Sequence, residues 1–335
     1  MARSSVSLQD VAKEAGVSPQ TVSRVANGSA AVRPETQSRV EEAMKKLGYR
    51  PNYAARALKS GRFNNIGVLL SHMSAFSNAR ILEGIVSTAA KHGYSTTIRT
   101  LDTLQDRSLA GALKLVEDLP LDGVIVIMER DFPDFNQFTP PQNLPVVLIS
   151  EEPADNCVTI DSDSYGCSTA AVDYLLSKGH HTVYHIAGPS ASRAAQSRIR
   201  GWHDALAQVG AAIPPLYIGD WGADSGYQAG LALAHEKECT AVYAANDQMA
   251  YGAMLGLRAA GKRVPEDISI IGVDDSLEGM VPRLELTTMR LRFHELGREA
   301  FAMIERQHNG EKIAVGVKRV IPPEFVDRGS VRELK

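Results

Sequence analysis

LQDVAKEAGVSPQTVSRVANG, residues 8–28, contains two short amphipathic patterns separated by a single glycine, Gly16. In the first pattern, apolar side chains recur at the helical spacing i, i+3, i+4 and i+7, at Leu8, Val11, Ala12 and Ala15. Ser7, with Asp10 three residues later, predicts an N-cap, and Gly16 can adopt the positive φ that ends such a helix. The stretch therefore predicts a helix and a tight turn that leads into a second helix.

The second helix is predicted to begin with Ser18 as its cap and Pro19 at its first position, where a missing N–H costs nothing. Its apolar face holds Val22, Val25 and Ala26. Its opposite face is polar and consists of Gln20, Ser23, Arg24 and Asn27. This face has a guanidinium and two amides but no carboxylate, and such donors suit base edges and phosphates in the DNA major groove. A solvated helical hairpin would have the same face, so the choice depends on the rest of the chain.

The charge of the chain is unevenly distributed, although its 335 residues have a formal net charge of only −3. Residues 1–60 contain ten basic and five acidic residues, a net charge of +5, which leaves 26 basic and 34 acidic residues, a net charge of −8, for residues 61–335. A basic N-terminal segment on an acidic body indicates that only this segment meets a polyanion. The asymmetry favours nucleic-acid binding by residues 8–28.

A third helix is predicted at about residues 34–47, and its apolar face holds Val40, Ala43, Met44 and Leu47. Together, the three short helices predict a compact helix-turn-helix unit. NYAARALKSG, residues 52–61, then predicts an alanine-rich hinge helix that is too short to be stable alone in water. Its alanines would let two such helices approach closely, and Leu58 is an apolar side chain that can wedge between base steps. A plain linker is the alternative interpretation of this segment.

The bulk composition is that of a globular protein. With 44% hydrophobic and 22% charged residues, the chain is long enough for two or three domains with their own cores. No apolar run approaches the roughly 20 residues of a membrane span, and residues 1–10 have no apolar signal-peptide core. Cys157, Cys167 and Cys239 lack metal-ligand spacing and indicate buried thiols in a reducing compartment. We therefore expect a cytoplasmic protein that binds no metal or other cofactor and no membrane.

From Ile66 onward, apolar runs alternate with helical patterns, which predicts parallel sheets covered by helices on both faces. Strands are predicted at 66–70, 95–99, 123–128, 146–150, 158–160, 183–188, 216–221, 241–246 and 268–275. Helices are predicted near 78–92, 106–118, 164–178, 193–209, 225–235 and 247–260. About ten strands are too many for one compact sheet of this kind. A break near 161–163 therefore predicts two α/β subdomains.

Polar residues follow several of the predicted strands, at the ends where open parallel sheets bind ligands. These residues are Ser71, Ser150, Asn246, Asp247, Asp274 and Asp275, and Trp221 closes another strand. Because the carboxyl ends of parallel strands share one edge of a sheet, the sequence predicts a ligand cleft there.

Motifs of common enzymes are missing from the sequence, which contains no GxxxxGK[ST], GxGxxG, HExxH or GxSxG. His180 and His181 could ligate a metal, but a neighbouring pair on a turn before a strand is more typical of solvated histidines. Ser190 and Ser192 lie in a loop without an evident base. These observations disfavour an enzyme.

VAKEAGVSPQTVSRVANG and RPETQSRVEEAMKKLGYRPNYAARAL, within residues 11–58, resemble the DNA-binding segment and hinge of the LacI/GalR family of lactose and galactose repressors. AGPSASRAAQSRIRGWHDAL, GDWGADSGYQAG, AVYAANDQMAYGAMLGLRAAG and VPEDISIIGVDD extend the resemblance over nearly the whole chain, and they are most similar to the lactose-binding member of the family. The resemblance implies an all-α helix-turn-helix head with a hinge helix. A periplasmic-binding-protein-like α/β sensor of two parallel-sheet subdomains would follow.

The resemblance also implies domain boundaries. A helix-turn-helix head would cover 1–51, a hinge helix 52–61, and an effector-binding and dimerisation domain 62–335. The subdomains of the last would be about 62–161 with 291–320, and 162–290 with 321–330.

By the same resemblance, a set of residues in the head and hinge would contact DNA. They are Ser7, Ser18, Pro19, Gln20, Thr21, Ser23, Arg24, Asn27, Tyr49, Asn52, Ala55 and Leu58. Because Pro19 has no side-chain donor, base reading would fall mainly to Gln20 and Arg24. Leu58 matches the intercalating leucine of the family hinge.

The effector pocket implied by the resemblance consists of Ser71, Ser150, Arg198, Trp221, Asn246, Asp274 and Phe293. The rings of Trp221 and Phe293 suit the apolar faces of a sugar, whereas the three polar side chains Arg198, Asn246 and Asp274 suit its hydroxyl groups. In the alternative interpretation, Trp221 is an ordinary core residue and Asp274 caps a turn.

Three features depart from the lactose-binding pattern. Residues 71–81 do not follow it, Ser150 stands where an acidic residue is expected, and Leu291 replaces a polar pocket residue. The sequence also ends at Lys335 without a leucine heptad. We therefore expect a homodimer without a tetramerising tail.

Taken together, the residues and the resemblance predict a repressor of carbohydrate utilisation genes, of the galactoside or lactose type. It would bind a pseudo-palindromic double-stranded operator as a homodimer, under the control of a small sugar effector, with a galactoside favoured. A solute-binding protein of a transporter is one alternative, but it would have a signal peptide and no basic head. An enzyme of sugar metabolism is the other.

Overall fold

The first helix, α1 (Leu8–Ala15), is capped by its own flanking residues, as its sequence predicts. Ser7 Oγ accepts a hydrogen bond from the backbone N–H of Asp10 at 3.3 Å, and the Asp10 carboxylate accepts one from the backbone N–H of Ser7 at 2.8 Å. Gly16 ends the helix with φ 64°.

The computed structural model describes residues 6–26, 31–49, 61–101 and 107–334.

Two further helices, α2 (Pro19–Ala26) and α3 (Pro34–Leu47), contact α1 and confirm the predicted three-helix unit. Each begins at a proline, which has no backbone N–H. Because N–H groups in the first turn of a helix have no intrahelical acceptor, no hydrogen bond is lost there. The small core between the helices consists of Val11, Ala12, Ala15, Val22, Val40 and Ala43. These helices belong to one compact unit, Met1–Phe63, and the second unit is Asn64–Lys335.

The second unit contains two six-stranded sheets. The strands of the first sheet are β1 (Asn65–Leu70), β2 (Ser95–Thr100), β3 (Gly123–Ile127), β4 (Val146–Ile149), β5 (Val158–Asp161) and β11 (Lys318–Val320). Their order is β11-β5-β4-β3-β1-β2, and every pair is parallel. The strands of the second sheet are β6 (Tyr184–Ala187), β7 (Tyr217–Ile218), β8 (Ala241–Ala244), β9 (Ser269–Val273), β10 (Thr287–Arg290) and β12 (Glu324–Val326). Their order is β12-β10-β9-β8-β6-β7.

Helices cover both faces of each sheet. They are α4 (Phe76–Lys91), α5 (Leu109–Lys114), α6 (Ser164–Ser177), α7 (Arg193–Gln208), α8 (Ala223–Leu233), α9 (Asp247–Ala259) and α10 (Phe293–His308). In β1, Val68 and Leu70 pack on the side of α4 and α10, whereas Leu69 packs on the side of α5. This burial of both faces explains the nearly continuous apolar strands, because successive side chains of a strand point to opposite faces.

The chain crosses between the two sheets at three places. The first crossing follows β5 at 162–163, the second lies between β10 and α10 at 291–292, and the third lies between β11 and β12 at 321–323. Each subdomain is therefore built from separate parts of the sequence. The predicted architecture of a helical head followed by two parallel-sheet α/β subdomains is confirmed.

Several predicted elements differ from the observed ones. The helix predicted near 106–118 is only α5, because the chain turns after Lys114 and thereby buries Val116 and Leu121. The strand predicted at 216–221 is only β7, an edge strand with two paired residues, so that Trp221 lies three residues beyond its end. The elements β10, α10, β11 and β12 were not predicted, and β12 pairs antiparallel with β10.

The prediction that both histidines of the pair are solvated is wrong for His180. Its side chain is buried, with Nδ1 2.9 Å from Thr240 Oγ1 and Nε2 3.1 Å from Ser269 Oγ, while His181 is exposed. Burial lowers the pKa of His180 to about 4. Thr240 directly precedes β8 and Ser269 begins the neighbouring β9, both far away in the sequence, so the burial of His180 could not be seen locally. The prediction of buried thiols is confirmed for all three cysteines.

Within the described ranges, no group of histidine, cysteine and acidic side chains is arranged to hold a metal ion. No helix in the same ranges has both the length and the apolar character needed to cross a membrane.

The close packing of α4 on α10 leads to a prediction about stability. A Cβ atom on Gly84 would lie 2.1 Å from the carbonyl oxygen of His294, so Gly84→Ala must push the two helices apart. We expect the variant to lose about 1–3 kcal/mol of unfolding free energy in urea titrations. Val86→Ala, on the exposed face of the same helix, is the control and should change the value by less than about 0.5 kcal/mol. Equal stability of the two variants would contradict the close approach.

Candidate functional site

The helix α2 presents part of the predicted polar face to solvent. Gln20 and Arg24, one helical turn apart, are exposed, whereas Val22 on the opposite face is fully buried. Ser18 fixes the start of the helix, since its Oγ accepts a hydrogen bond from the backbone N–H of Thr21 at 3.1 Å. An amide and a guanidinium therefore stand together on the open side of a helix whose other side anchors it in the core.

The remaining predicted DNA contacts have different surroundings. Pro19 is exposed, and Thr21 and Ser23 are half-buried beside it on α2. The Ser7 hydroxyl donates to the Asp10 carboxylate at 2.7 Å within the N-cap, and Tyr49 packs half-buried against the head core. Four predicted contacts lie outside the described residues, together with residues 52–60 of the predicted hinge helix: Asn27, Asn52, Ala55 and Leu58.

The second unit contains a cavity of about 750 Å³ between the carboxyl ends of its two sheets. All seven residues predicted for an effector pocket line it: Ser71, Ser150, Arg198, Trp221, Asn246, Asp274 and Phe293. They come from both subdomains and span more than 200 positions of the sequence. Residues at the carboxyl ends of the parallel strands therefore meet at one cavity, as the sequence predicts.

A buried ion pair forms the second-subdomain side of the cavity. Arg198, on α7, donates to the carbonyl oxygen of Ala245 and to Asp274 Oδ1 at 3.4 Å. Its guanidinium carbon lies 5.7 Å from the centroid of the Trp221 ring. Burial raises the pKa of Asp274, while the charge of Arg198 opposes this rise. The pair brings polar groups and an aromatic face together in one wall.

Trp221 is held in place by its backbone and by a glycine. Its φ is 72°, in the left-handed region, and its carbonyl oxygen accepts a hydrogen bond from Asn246 Nδ2 at 2.9 Å. Asn246 also caps α9 through its Oδ1, which accepts from the backbone N–H of Met249 at 2.9 Å. A Cβ atom on Gly188 would lie 2.2 Å from Cη2 of Trp221, so only glycine lets the ring lie there. Trp221 is thus half-buried at the cavity, with its ring held against Gly188.

The first-subdomain side of the cavity includes residues that sequence reasoning missed. Phe76 packs edge-on against Phe293, with ring centroids 6.3 Å apart. Glu129 contacts the side-chain amide of Asn78, and its Oε2 lies 2.9 Å from Nδ1 of His72. Glu129 follows β3 closely, so the same strand-end signal that pointed to Ser71 could have found it.

A cluster of charged groups lies deeper in the same wall. Glu151, two residues after β4, accepts a hydrogen bond from Ser164 Oγ at 2.9 Å. Lys318 contacts the Asp161 carboxylate and donates to the backbone carbonyl of Glu151 at 2.7 Å. Burial, and next the negative charge of Asp161, raise the pKa of Glu151 to about 7. Glu151 is therefore a carboxyl group that can change its charge near neutral pH.

Ion pairs connect the two subdomains next to the cavity. Arg193, at the start of α7, contacts the Asp131 carboxylate and lies 3.3 Å from Glu152 Oε2. Arg200, on the same helix, lies 3.5 Å from Glu152 Oε1. The two acidic residues belong to the first subdomain and the arginines to the second, so these contacts favour the observed relative orientation of the sheets.

Comparison with known proteins agrees with this architecture. Residues 7–52 match the family described as bacterial regulatory proteins, lacI family, and residues 172–331 match the periplasmic binding protein-like domain. The chain is 32% identical to the HTH-type transcriptional repressor CytR of Escherichia coli (strain K12) over 332 residues, which cover 98% of this chain and 96% of that protein. It is 31% identical to the lactose operon repressor of the same organism, with 96% of this chain and 90% of that protein covered.

A solved structure of the Lac repressor bound to ONPG in the repressed state matches with a TM-score of 0.86 and 30% identity. The match covers 97% of this chain and 99% of that one. The expectation that the sensor is most similar to the lactose-binding member is not supported, because CytR matches at 32% identity and the lactose operon repressor at 31%. The family itself is clear, and its members are regulators rather than enzymes. The chain belongs to the lacI family of bacterial regulatory proteins and is a DNA-binding transcriptional repressor with an effector-binding domain.

Proposed function

We propose that this repressor controls carbohydrate utilisation genes and that its effector is a pyranose sugar, with a galactoside the leading candidate. The observation that carries the proposal is the convergence, on one cavity between the subdomains, of the seven residues that the family resemblance implies for an effector pocket. The Trp221 and Phe293 rings offer apolar faces for a sugar ring. Arg198 and Asp274 offer donors and acceptors for its hydroxyl groups.

We also propose how the head acts. Gln20 and Arg24 read bases, and Ser7, Ser18, Pro19, Thr21, Ser23, Asn27 and Tyr49 lie at or near the DNA. Asn52, Ala55 and Leu58 contact DNA from the hinge. The domains are 1–51, 52–61 and 62–335, with the subdomain boundaries given above. Two copies of the chain bind a pseudo-palindromic operator in the cytoplasm, where chromosomal DNA lies.

The proposed coupling between the two sites is thermodynamic. A sugar that bridges the subdomains would favour one relative orientation, and the dimer would transmit this to the spacing of the hinges. A sugar that weakens operator binding tenfold must itself bind the operator complex tenfold more weakly, a coupling of about 1.4 kcal/mol. Thermal-shift measurements with a sugar panel, repeated with operator DNA, test the function. A shift with a purine or an amino acid but with no sugar would overturn the sugar assignment and leave the regulator intact.

Arg24→Ala tests base reading by α2. If Arg24 makes a bidentate contact with a base, its loss should cost about 1–3 kcal/mol on the preferred operator and much less on a scrambled site. Lys45→Ala, an equal change of charge at an exposed position of α3, is the control and should not alter the ratio between the two sites. Fluorescence anisotropy at fixed salt measures both affinities. An equal loss on every sequence would reduce Arg24 to a phosphate contact.

Trp221→Ala and Asp274→Ala test the effector site. Each should abolish the binding of methyl β-galactoside in calorimetry and the sugar response in operator release, because stacking or hydroxyl contacts are removed. Ile218→Ala, an exposed residue shortly before Trp221, is the control and should keep the response. Retained response with lost operator binding would show that Trp221 and Asp274 are core residues.

Gly188→Ala tests the positioning of the Trp221 ring without touching a polar group. The new methyl group must displace the ring, so sugar affinity should fall at least tenfold and acrylamide quenching of tryptophan fluorescence should rise. The other tryptophan, Trp202, is buried in the core and supplies a constant background. Ser190→Ala, two residues away, is the control. Unchanged quenching in Gly188→Ala would contradict the observed contact.

A further inference from the structure

Carboxylates outnumber guanidinium groups in the wall of the cavity. Among the described residues that line it, the acidic ones are Glu129, Glu151, Asp161 and Asp274, and the strongly basic ones are Arg130 and Arg198. Arg198 is engaged by Asp274, and the Arg130 guanidinium lies over the Phe132 ring, 4.8 Å from its centroid. The charge of Arg198 is therefore offset by a carboxylate, whereas Arg130 keeps its positive charge above an aromatic ring.

Lys318, a lysine behind the cavity wall, is also engaged. Lys318 contacts Asp161 and the carbonyl oxygen of Glu151, and it reaches the wall from β11 behind these residues. The carboxylates of Glu129 and Glu151 face the cavity without a dedicated arginine or lysine partner among the described ion pairs, although His72 lies beside Glu129. Negative charge is thus concentrated on the first-subdomain side.

Glu129 also lies near the start of α4, a helix end that favours negative charge. The start of α4 has no side-chain cap, and backbone N–H groups at such a helix end attract negative charge. The Glu129 carboxylate contacts Asn78 in the first turn of this helix. The protein therefore already supplies a negative charge at the helix end.

We propose that the carboxylates of Glu129 and Glu151 make the cavity selective for uncharged effectors and exclude anionic analogues such as sugar acids and sugar phosphates. The selectivity rests on the proposed function, in that this cavity is the effector site. An uncharged ligand can donate its hydroxyl hydrogens to both carboxylates. A carboxylate or phosphate on the same ligand would have to give up its water beside groups of like charge.

Glu151 gives the selectivity a dependence on pH. Burial and Asp161 raise the pKa of Glu151 to about 7, whereas Arg198, Ser164 and Lys318 act in the opposite direction. A carboxyl group with a raised pKa is neutral below that pH and charged above it. Repulsion of an anionic ligand by Glu151 should therefore be present at pH 8 and lost as the pH falls through 7.

The test compares matched probes in calorimetry with the full-length protein. The pairs are galactose with galacturonate, glucose with glucuronate, and adenosine with its 5′-carboxylic acid. Sugar carboxylates stay ionised from pH 6 to pH 8, whereas a phosphate would itself titrate there, with a second pKa of about 6. For the pair that binds, we expect the neutral member to bind at least a hundredfold more tightly than its acid at pH 8. This ratio of affinities should be about tenfold smaller at pH 6.

Glu151→Gln isolates the contribution of Glu151, because glutamine can still accept the hydrogen bond from Ser164 but has no charge. We expect the variant to have the same reduced selectivity at pH 6 and pH 8. His72, which lines the cavity beside Glu129, is unchanged in this variant. Asp155→Asn makes the same change of charge at an exposed position outside the cavity and should behave like the unmodified protein.

The outcomes distinguish a failure of the charge selectivity from a failure of the proposed sugar effector site. Equal affinity for an acid and its neutral partner at pH 8 would overturn the charge selectivity. Full pH dependence in Glu151→Gln would overturn the role of Glu151 in it. Binding of the adenosine pair alone would overturn the sugar assignment, and the selectivity would then be decided by that pair. Binding that survives Trp221→Ala would overturn the effector site and, with it, the selectivity.

Discussion

The buried guanidinium of Arg198 is the interaction on which the sensor depends. It comes from α7, donates to the carbonyl oxygen of Ala245 just after β8, and pairs with Asp274 just after β9. One side chain thus ties together a helix and the ends of two strands. Removing one partner of a buried pair typically costs about 3–5 kcal/mol, because the other charge is left without compensation. Asp274 also has φ 93°, and strained backbone of this kind is typical of ligand sites.

The two subdomains that line the cavity are connected by three crossings of the chain. The crossings at 162–163, 291–292 and 321–323 are the only covalent connections between the sheets in the described sensor residues. The contacts of Arg193 with Asp131 and Glu152 add a noncovalent link beside the cavity. A ligand in a cavity that both subdomains line acts on the equilibrium between their relative orientations. Its influence is set by its difference in affinity between the orientations.

The head depends more than the sensor on signals that are local in the sequence. Among the described residues of the head, six buried apolar side chains form the core, all of them alanine or valine, and four lie on α1 and α2 within residues 11–22. Local signals therefore carry much of the specification. The capping box at Ser7, the glycine at Gly16 and the proline at the start of α3 are each set within a few residues. A small unit of this kind can present Gln20 and Arg24 from a rigid helix, because the opposite face of α2 is fixed by Val22.

The sequence by itself determined the features that depend on neighbours along the chain. The helix boundaries in the head follow from caps and prolines, the strands from continuous apolar runs, and the cleft from polar residues at strand ends. Only the tertiary structure decided the features that depend on distant partners. The short β7 is set by pairing with β6, the burial of His180 by Thr240 and Ser269, and the raised pKa of Glu151 by burial and by the charge of Asp161. Capping and periodicity act over about four residues of the chain, whereas burial and charge coupling act between groups that only the folded chain brings together.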